Sequence, residues 1–333
     1  MKICFLENTP FEYSYKDKDS SILRGAESSM LNLSSELKKL GLDVFVFNNC
    51  TEEIHKDNTH WYNIHHLSKF DDTVFDFAIA NGDATLLNKV KARKYLVYSH
   101  SIQPVEKFIR KKQLMPYLKY RPTYILEGHY HKKTRPKLTS IFGLRNVQVC
   151  VDDVFLNTDI TSNQNEQIIK KNTAIFTSRK DRNLDLLINI WKTQIIPKYD
   201  QGNLLVTPSD FTPSDNIIFR KMGHRNNLIR DMLNSKMLLM PGHKAELFCI
   251  AAEEARELCI PIVTLGIGSL YERVEHGVTG FIAKNKEAFA KYAIDLFKDN
   301  SIWSELRNNL LNMRGKHTWE KSAKAFKEDL LSL

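Results

Sequence analysis

Residues 245–265 read A-E-L-F-C-I-A-A-E-E-A-R-E-L-C-I-P-I-V-T-L. Glu246 and Glu254 flank an apolar run at 247–252. The run I-P-I-V at 260–263, and K-M-L-L-M-P at 236–241 upstream, have the short continuous apolar character of strands buried on both faces. A helix between two such strands makes a βαβ unit of a parallel sheet. Glu246 then falls in the loop after a strand, and Glu254 about two turns into the helix. Open parallel sheets gather ligand-binding groups at this edge. The helix N-terminus there also presents unpaired backbone N–H groups to an anion. Taken alone, the two glutamates read first as surface carboxylates on a solvated helix.

Working outward, the strand–helix rhythm fills the second half of the chain. Residues 173–177, 204–206 and 237–240 read as strands, 226–233 as a short helix, and 319–331 as the last helix. Leu184, Leu187, Ile188 and Trp191 share one helical face. Arg179 and Arg182 lie in the turn after the first of these strands. Two guanidinium groups at that edge suit a diphosphate, and they also read as ordinary surface charge. The polar stretch 157–171 is the expected interdomain linker.

The first half repeats the scheme. Residues 2–6 form a strand, and Ala26, Met30, Leu33, Leu37 and Leu40 recur at helical spacing. Gly41 suits the C′ position of that helix, and 42–47 is the next strand. Gly25 stands where a loop enters the helix. There it either admits a phosphate close to the backbone or simply opens the helix. Strands follow at 75–81, 94–100, 122–126 and 146–151, with His100 at the carboxyl end of the second. His55, His60, His65 and His66 crowd a polar segment without metal-ligand spacing. His129 and His131 read as solvated members of a basic block.

With 333 residues, 42% hydrophobic and 26% charged, the composition is that of an ordinary two-domain globular protein. No apolar run is long enough for a membrane span, and the N-terminal run ends at Glu7 too soon for a signal peptide. The five cysteines (4, 50, 150, 249 and 259) are widely spaced and apolar in context, so they read as reduced core residues of a cytoplasmic protein. The net charge of +9 is concentrated. Between Lys89 and Arg145 stand fifteen Lys and Arg against two acids, Glu106 and Glu127. Such a block attracts anionic partners, or is a solvated face. No nucleic-acid motif accompanies it, so nucleic acid is not an expected partner. In K-F-I-R-K-K-Q-L-M-P-Y-L-K-Y, apolar residues interleave with the basic ones. That pattern suits peripheral contact with an anionic membrane, at its inner face, or with a lipid-linked substrate.

Together these landmarks resemble the retaining glycosyltransferases of the two-Rossmann-domain type (GT-B), family four of the sequence classification. Glu246 and Glu254 match that family's Glu-x7-Glu, with Phe248 inside it. I-P-I-V-T-L-G-I-G-S and E-R-V-E-H-G-V-T-G-F-I-A are similar to its following segments. Gly25-Ala26-Glu27 resembles its first glycine loop, Val151-Asp152-Asp153-Val154-Phe155 the end of its first domain, and Trp319-Glu320 the start of its last helix. The resemblance implies an α/β fold of two Rossmann-like domains with parallel sheets facing across a cleft. The first, 1–157, would take the acceptor and the second, 172–316, the donor, while a helix at 317–333 returns to the first domain.

It also implies roles. Glu246 would hold donor-sugar hydroxyls and Glu254 the ribose. Arg179 and Arg182 would neutralise the diphosphate, helped by the amides of Phe248, Cys249 and Ile250. Gly25 would approach the donor, His100 would line the sugar site, and Gly223 and His224 would border the base. The expected reaction is transfer of a hexosyl-type sugar from a nucleotide sugar to a glycan or lipid-linked acceptor. It would proceed with retention and without a metal or other cofactor. The alternative is a non-catalytic nucleotide-sugar or glycan-binding protein of the same fold. Three departures from the family stand out: Arg24 in place of a loop glycine, the closer spacing of the arginine pair, and Cys249 in place of a glycine.

Overall fold

The computed structural model describes residues 1–17, 23–56, 59–135, 137–139, 141–160, 172–208, 214, 216–221 and 223–333. The chain divides into two compact units, Met1–Cys150 with His317–Leu333, and Val151–Lys316. Most of the expected linker, from 161 onward, lies outside the described residues.

The first unit is built on an eight-stranded sheet. Its strands are β1 (Lys2–Leu6), β2 (Asp43–Asn48), β3 (Ile54–Lys56), β4 (Thr59–Asn63), β5 (Val74–Asn81), β6 (Lys91–Tyr98), β7 (Thr123–Leu126) and β8 (Leu144–Asn146). The order is β3-β4-β2-β1-β5-β6-β7-β8, parallel throughout except for β3 against β4. Ile3, Cys4, Phe5 and Leu6 of β1 are all fully buried, as expected of a central parallel strand covered on both faces. The Gly25–Lys39 helix buries Met30, Leu33 and Leu37, and Gly41 beyond it takes φ +82°, the left-handed C′ conformation. The Trp319–Leu331 helix packs in this unit. Trp319, Ala323, Phe326 and Leu330 are buried, Lys327 Nζ donates to the Leu40 carbonyl at 3.0 Å, and Ser322 Oγ to the Gln148 carbonyl at 2.7 Å.

The second unit holds a six-stranded parallel sheet of β9 (Thr173–Thr177), β10 (Asn203–Thr207), β11 (Ile217–Phe219), β12 (Met237–Gly242), β13 (Ile262–Ile267) and β14 (Gly280–Ile282). Its order is β11-β10-β9-β12-β13-β14. Every residue of β12 is buried. At its start the Lys236 side chain runs through the core. Its Nζ donates to the Phe297 carbonyl at 2.9 Å and to Asn300 Oδ1 at 2.8 Å, which satisfies a charge that would otherwise be costly to bury.

Several expectations shift. The last strand of the first sheet is Leu144–Asn146, paired with β7; Val147, Val149, Cys150 and Val151 are buried without being a strand and Gln148 is exposed, as the chain passes from the sheet into the second unit. Val151 and Phe155, read with the first domain, lie in the core of the second unit. The helix after Cys249 begins only at Ile250, so Glu254 stands about one turn into it rather than two. All five cysteines are buried, and none of them is in a disulfide. Among the described residues, no helix is long and apolar enough to cross a membrane.

Candidate functional site

In each sheet one interior point separates the strands added on one side from those added on the other. In the second sheet that point lies between β9 and β12, with β10 on one side and β13 on the other. Loops that leave the carboxyl ends of such strands diverge to opposite faces and open a crevice. Here the β9 loop carries Arg179, Arg182 and Asn183, and the β12 loop carries Glu246, Phe248 and Cys249.

The two loops are tied together. Arg182 Nε donates to Glu246 Oε2 at 2.9 Å, and Arg182 also pairs with Asp181 at 2.7 Å. Asn183, in a left-handed conformation (φ 64°), donates from its amide to the Gly242 carbonyl. Arg179 pairs with Asp181 at 3.0 Å and is mostly exposed. Burial pushes the Glu246 carboxyl above its ordinary value, with the charge of Arg182 acting in the opposite direction.

The β12 loop is pressed against the loop after β13. Glu246 N donates to the His243 carbonyl, and Ser269 N to the Glu246 carbonyl, both at 2.9 Å. Gly268 (φ +77°) lies where a Cβ would stand 2.3 Å from the His243 carbonyl oxygen and 2.9 Å from that of Glu246. Only glycine fits that approach. Cys249 then turns the chain into the Ile250–Glu257 helix with φ 65°, ψ 75°, a left-handed conformation that disfavours any side chain. Its thiol is buried in the core of the unit; the Phe248 ring is buried too, with the Arg273 guanidinium stacked over it at 4.4 Å. The backbone at 248–250, not these side chains, is therefore what faces the helix entrance. The position that Cys249 holds, where the resemblance expects a glycine, has positive φ.

Glu254 is buried and faces two residues that the sequence did not single out as a group. Arg225, first residue of the Arg225–Leu233 helix, lies 3.9 Å from Glu254 Oε1 and forms an ion pair with buried Asp152. Burial pushes Glu254 up to about 7, with Arg225 opposing the shift and Asp152 adding to it. Gly223 and His224 are exposed, and the His224 ring caps the same helix by accepting from Asn226 N at 3.3 Å. Arg225 could have been found from its place at the start of a helix that follows a sheet edge.

In the first sheet the corresponding point lies between β1 and β5. His100 stands just past β6, not within it. Its Nδ1 lies 2.7 Å from Glu127 Oε1 and its Nε2 2.5 Å from Asn81 Oδ1. The Asn81 amide donates onward to Glu7 Oε1, and Tyr13 OH donates to Glu7 Oε2. A continuous chain thus runs from Tyr13 through Glu7, Asn81 and His100 to Glu127. With the Asn81 amide nitrogen on Glu7, both ring nitrogens of His100 face oxygen acceptors. Burial pushes Glu7 up to about 7 against its hydrogen bonds from Tyr13 and Asn81. Glu7, Asn81 and Glu127 were not singled out in the sequence. The available signal is simple: each is a polar residue at the carboxyl end of a parallel strand.

His131, read as solvated, is buried instead. Glu127 N donates to its Nδ1 at 3.4 Å, its Nε2 lies 3.3 Å from Ser99 Oγ, and burial pulls it down to about 4. Gly25 is the first residue of its helix, while Arg24 turns away, its Nε donating to Glu27 Oε1 at 3.1 Å and its guanidinium stacking on Phe11 at 4.1 Å. Among the described residues, no three His, Cys, Asp or Glu side chains cluster as metal ligands would.

Residues 210–313 match the family described as glycosyl transferases group 1. No curated protein sequence matches the chain. Among solved structures, the chain is similar to HepE of Anabaena in complex with UDP and glucose, at 14% identity over 100% of both chains and a TM-score of 0.72. It is similar to sucrose-phosphate synthase of Thermosynechococcus elongatus at 14% identity, over 98% of this chain and 97% of that one, with a TM-score of 0.72. It is also similar to WaaG, a glycosyltransferase involved in lipopolysaccharide biosynthesis, at 11% identity over 98% and 99%, with a TM-score of 0.68. The fold is that of the two-Rossmann-domain (GT-B) glycosyltransferases.

Proposed function

We propose that the protein is a glycosyltransferase that moves a hexosyl-type sugar from a nucleotide-sugar donor to a hydroxyl of a glycan or lipid-linked acceptor. Transfer proceeds with retention of anomeric configuration and without a metal ion. The observation that carries this reading is the Arg182–Glu246 pair, which joins the two loops at that interior point of the second sheet. A cation and a carboxylate fixed side by side can serve the two parts of such a donor. The guanidinium faces the diphosphate, and the carboxylate accepts from sugar hydroxyls. The match of residues 210–313 to a glycosyltransferase family supports it.

On this reading the charge that grows on the leaving diphosphate is met by Arg179, Arg182 and the amides at the start of the Ile250–Glu257 helix. Glu246 is held in an ion pair, so it positions the sugar rather than attacking it. The leaving phosphate itself takes the acceptor's proton. Glu254 holds the ribose, with Arg225 beside its carboxylate and Asp152 holding Arg225 in place, and the first unit carries the acceptor. His100, oriented by Glu127 and Asn81, is a positioning group on the sugar side.

HepE, similar in fold, was solved in complex with UDP and glucose, so uridine sugars are the first donors to test. A panel of nucleotide sugars should raise the unfolding midpoint for one base above the rest, because binding to the folded state alone stabilises it by mass action. The matching donor, given a glycan or lipid-linked hydroxyl, should release its nucleotide with the anomeric configuration retained by NMR. Binding without turnover across acceptors of both classes would favour a nucleotide-sugar-binding protein instead.

A further inference from the structure

Two short helices of the first unit, Val105–Arg110 and Leu114–Tyr120, each present an aliphatic face to water. Val105 and Ile109, 49% and 58% exposed, stand one turn apart on the first helix. Met115 and Leu118, 71% and 55% exposed, stand one turn apart on the second. The inward faces are already satisfied, since Phe108, Pro116 and Tyr117 are buried, together with Gln113 of the connecting turn. The outward aliphatic residues are therefore not needed for the core, and four of them within one short stretch is more than a monomer's scattered surface apolars explain.

Basic residues frame this face. Arg110, Lys111, Lys112, Lys119 and Arg121 are all exposed, and Glu106 is the one acid between residues 105 and 121. Lys112 and Arg121 hold left-handed backbone conformations (φ 54° and 45°) that end the two helices and keep them short. A nucleic acid would use the cations but has little use for aliphatic side chains beside them, since bases stack on aromatic rings. An anionic bilayer surface uses both kinds of residue. Its headgroup phosphates meet Lys and Arg, and the acyl boundary below them takes Ile, Met and Leu.

We propose that this paired-helix face docks on the surface of an anionic phospholipid bilayer. Ile109, Met115 and Leu118 enter the acyl boundary, with Arg110, Lys111, Lys112 and Lys119 at headgroup level. The proposal narrows the broad basic block to one built surface, and it does not depend on which reaction the protein catalyses.

The test is sedimentation of the full chain with vesicles of phosphatidylcholine alone and of phosphatidylcholine mixed with phosphatidylglycerol. The expected result is binding to the mixed vesicles only, weakening as salt is raised. Replacing Ile109, Met115 and Leu118 together with Ser should reduce partitioning by about tenfold or more. Replacing Arg110, Lys111 and Lys112 together with Gln should reduce it by roughly a hundredfold. The single change Met115→Ser, at the most exposed position, should weaken binding with an unchanged unfolding midpoint. Wild-type protein left in the supernatant, or variants that bind as the wild type does, would overturn the proposal. So would a dimer in gel filtration that the Ser changes dissolve while vesicle binding persists.

Discussion

Arg182 Nε and Glu246 Oε2 meet at 2.9 Å across the point between β9 and β12. Both side chains are largely buried, so the pair is held in place by its surroundings rather than by solvent-weakened attraction. Changing Glu246 to Gln keeps the shape and removes the charge. Transfer should fall by about a hundredfold or more, with an unfolding midpoint close to that of the wild type. A Gln variant with activity within severalfold of wild type would remove Glu246 from the site.

Glu254 gives a pH signature. Its folded value of about 7 lies above its ordinary 4.5, so the folded state holds this proton more tightly than the unfolded chain does. Stability from this group is present at low pH and is lost as pH rises from about 4.5 through about 7, by up to about 3 kcal/mol. Against wild type, Glu254→Gln should therefore gain stability on going from about pH 5 to about pH 8 in denaturant titrations. Parallel curves for the two proteins would show that Glu254 is not held in this way.

Gly268 sets the position of the loop that bears Glu246. A methyl group there would press on two backbone carbonyls, which cannot rotate away as a side chain could. Gly268→Ala should lower stability by about 2 kcal/mol or more and reduce transfer together with it, because the loop must shift. Gly277, also at positive φ but with open space where a methyl group would stand, is the control: Ala there should cost about 1 kcal/mol with activity kept. Equal losses at both sites would mean that backbone conformation alone, not the packed loop, explains the effect.

The His100 chain is testable through its outer members. Glu127→Gln keeps a hydrogen-bonding group beside Nδ1 but removes the charge, and Asn81→Leu cuts the link to Glu7. Each should lower kcat by about tenfold, with KM for the donor less affected. A change confined to donor KM would place His100 in binding alone.

The alternation of strands and helices was legible because each buried strand is a short apolar run and each helix has its own period. Strand ends were less legible. Val147, Val149, Cys150 and Val151 are as apolar as a strand, yet they are buried where the chain leaves the sheet, which periodicity does not encode. Of the site, the residues that sit in loops at strand ends, Arg182, Glu246 and His100, could be named in advance, because topology alone selects that edge. Their partners could not. Arg225 reaches Glu254, and Asn81 reaches His100, only after distant segments are brought together. The departure at Cys249 was visible as a changed letter, but its meaning rests on a backbone angle that the sequence does not display.

The first unit is discontinuous, since it needs residues 317–333 as well as residues 1–150. During synthesis the second unit's whole segment emerges before the helix that completes the first. The hydrophobic groove awaiting Trp319, Phe326 and Leu330 must therefore stay open until residues 317–333 have been made. The unit that starts first is finished last, and a ribosome that stalls before His317 would release a chain with an intact second unit and an unsealed first one.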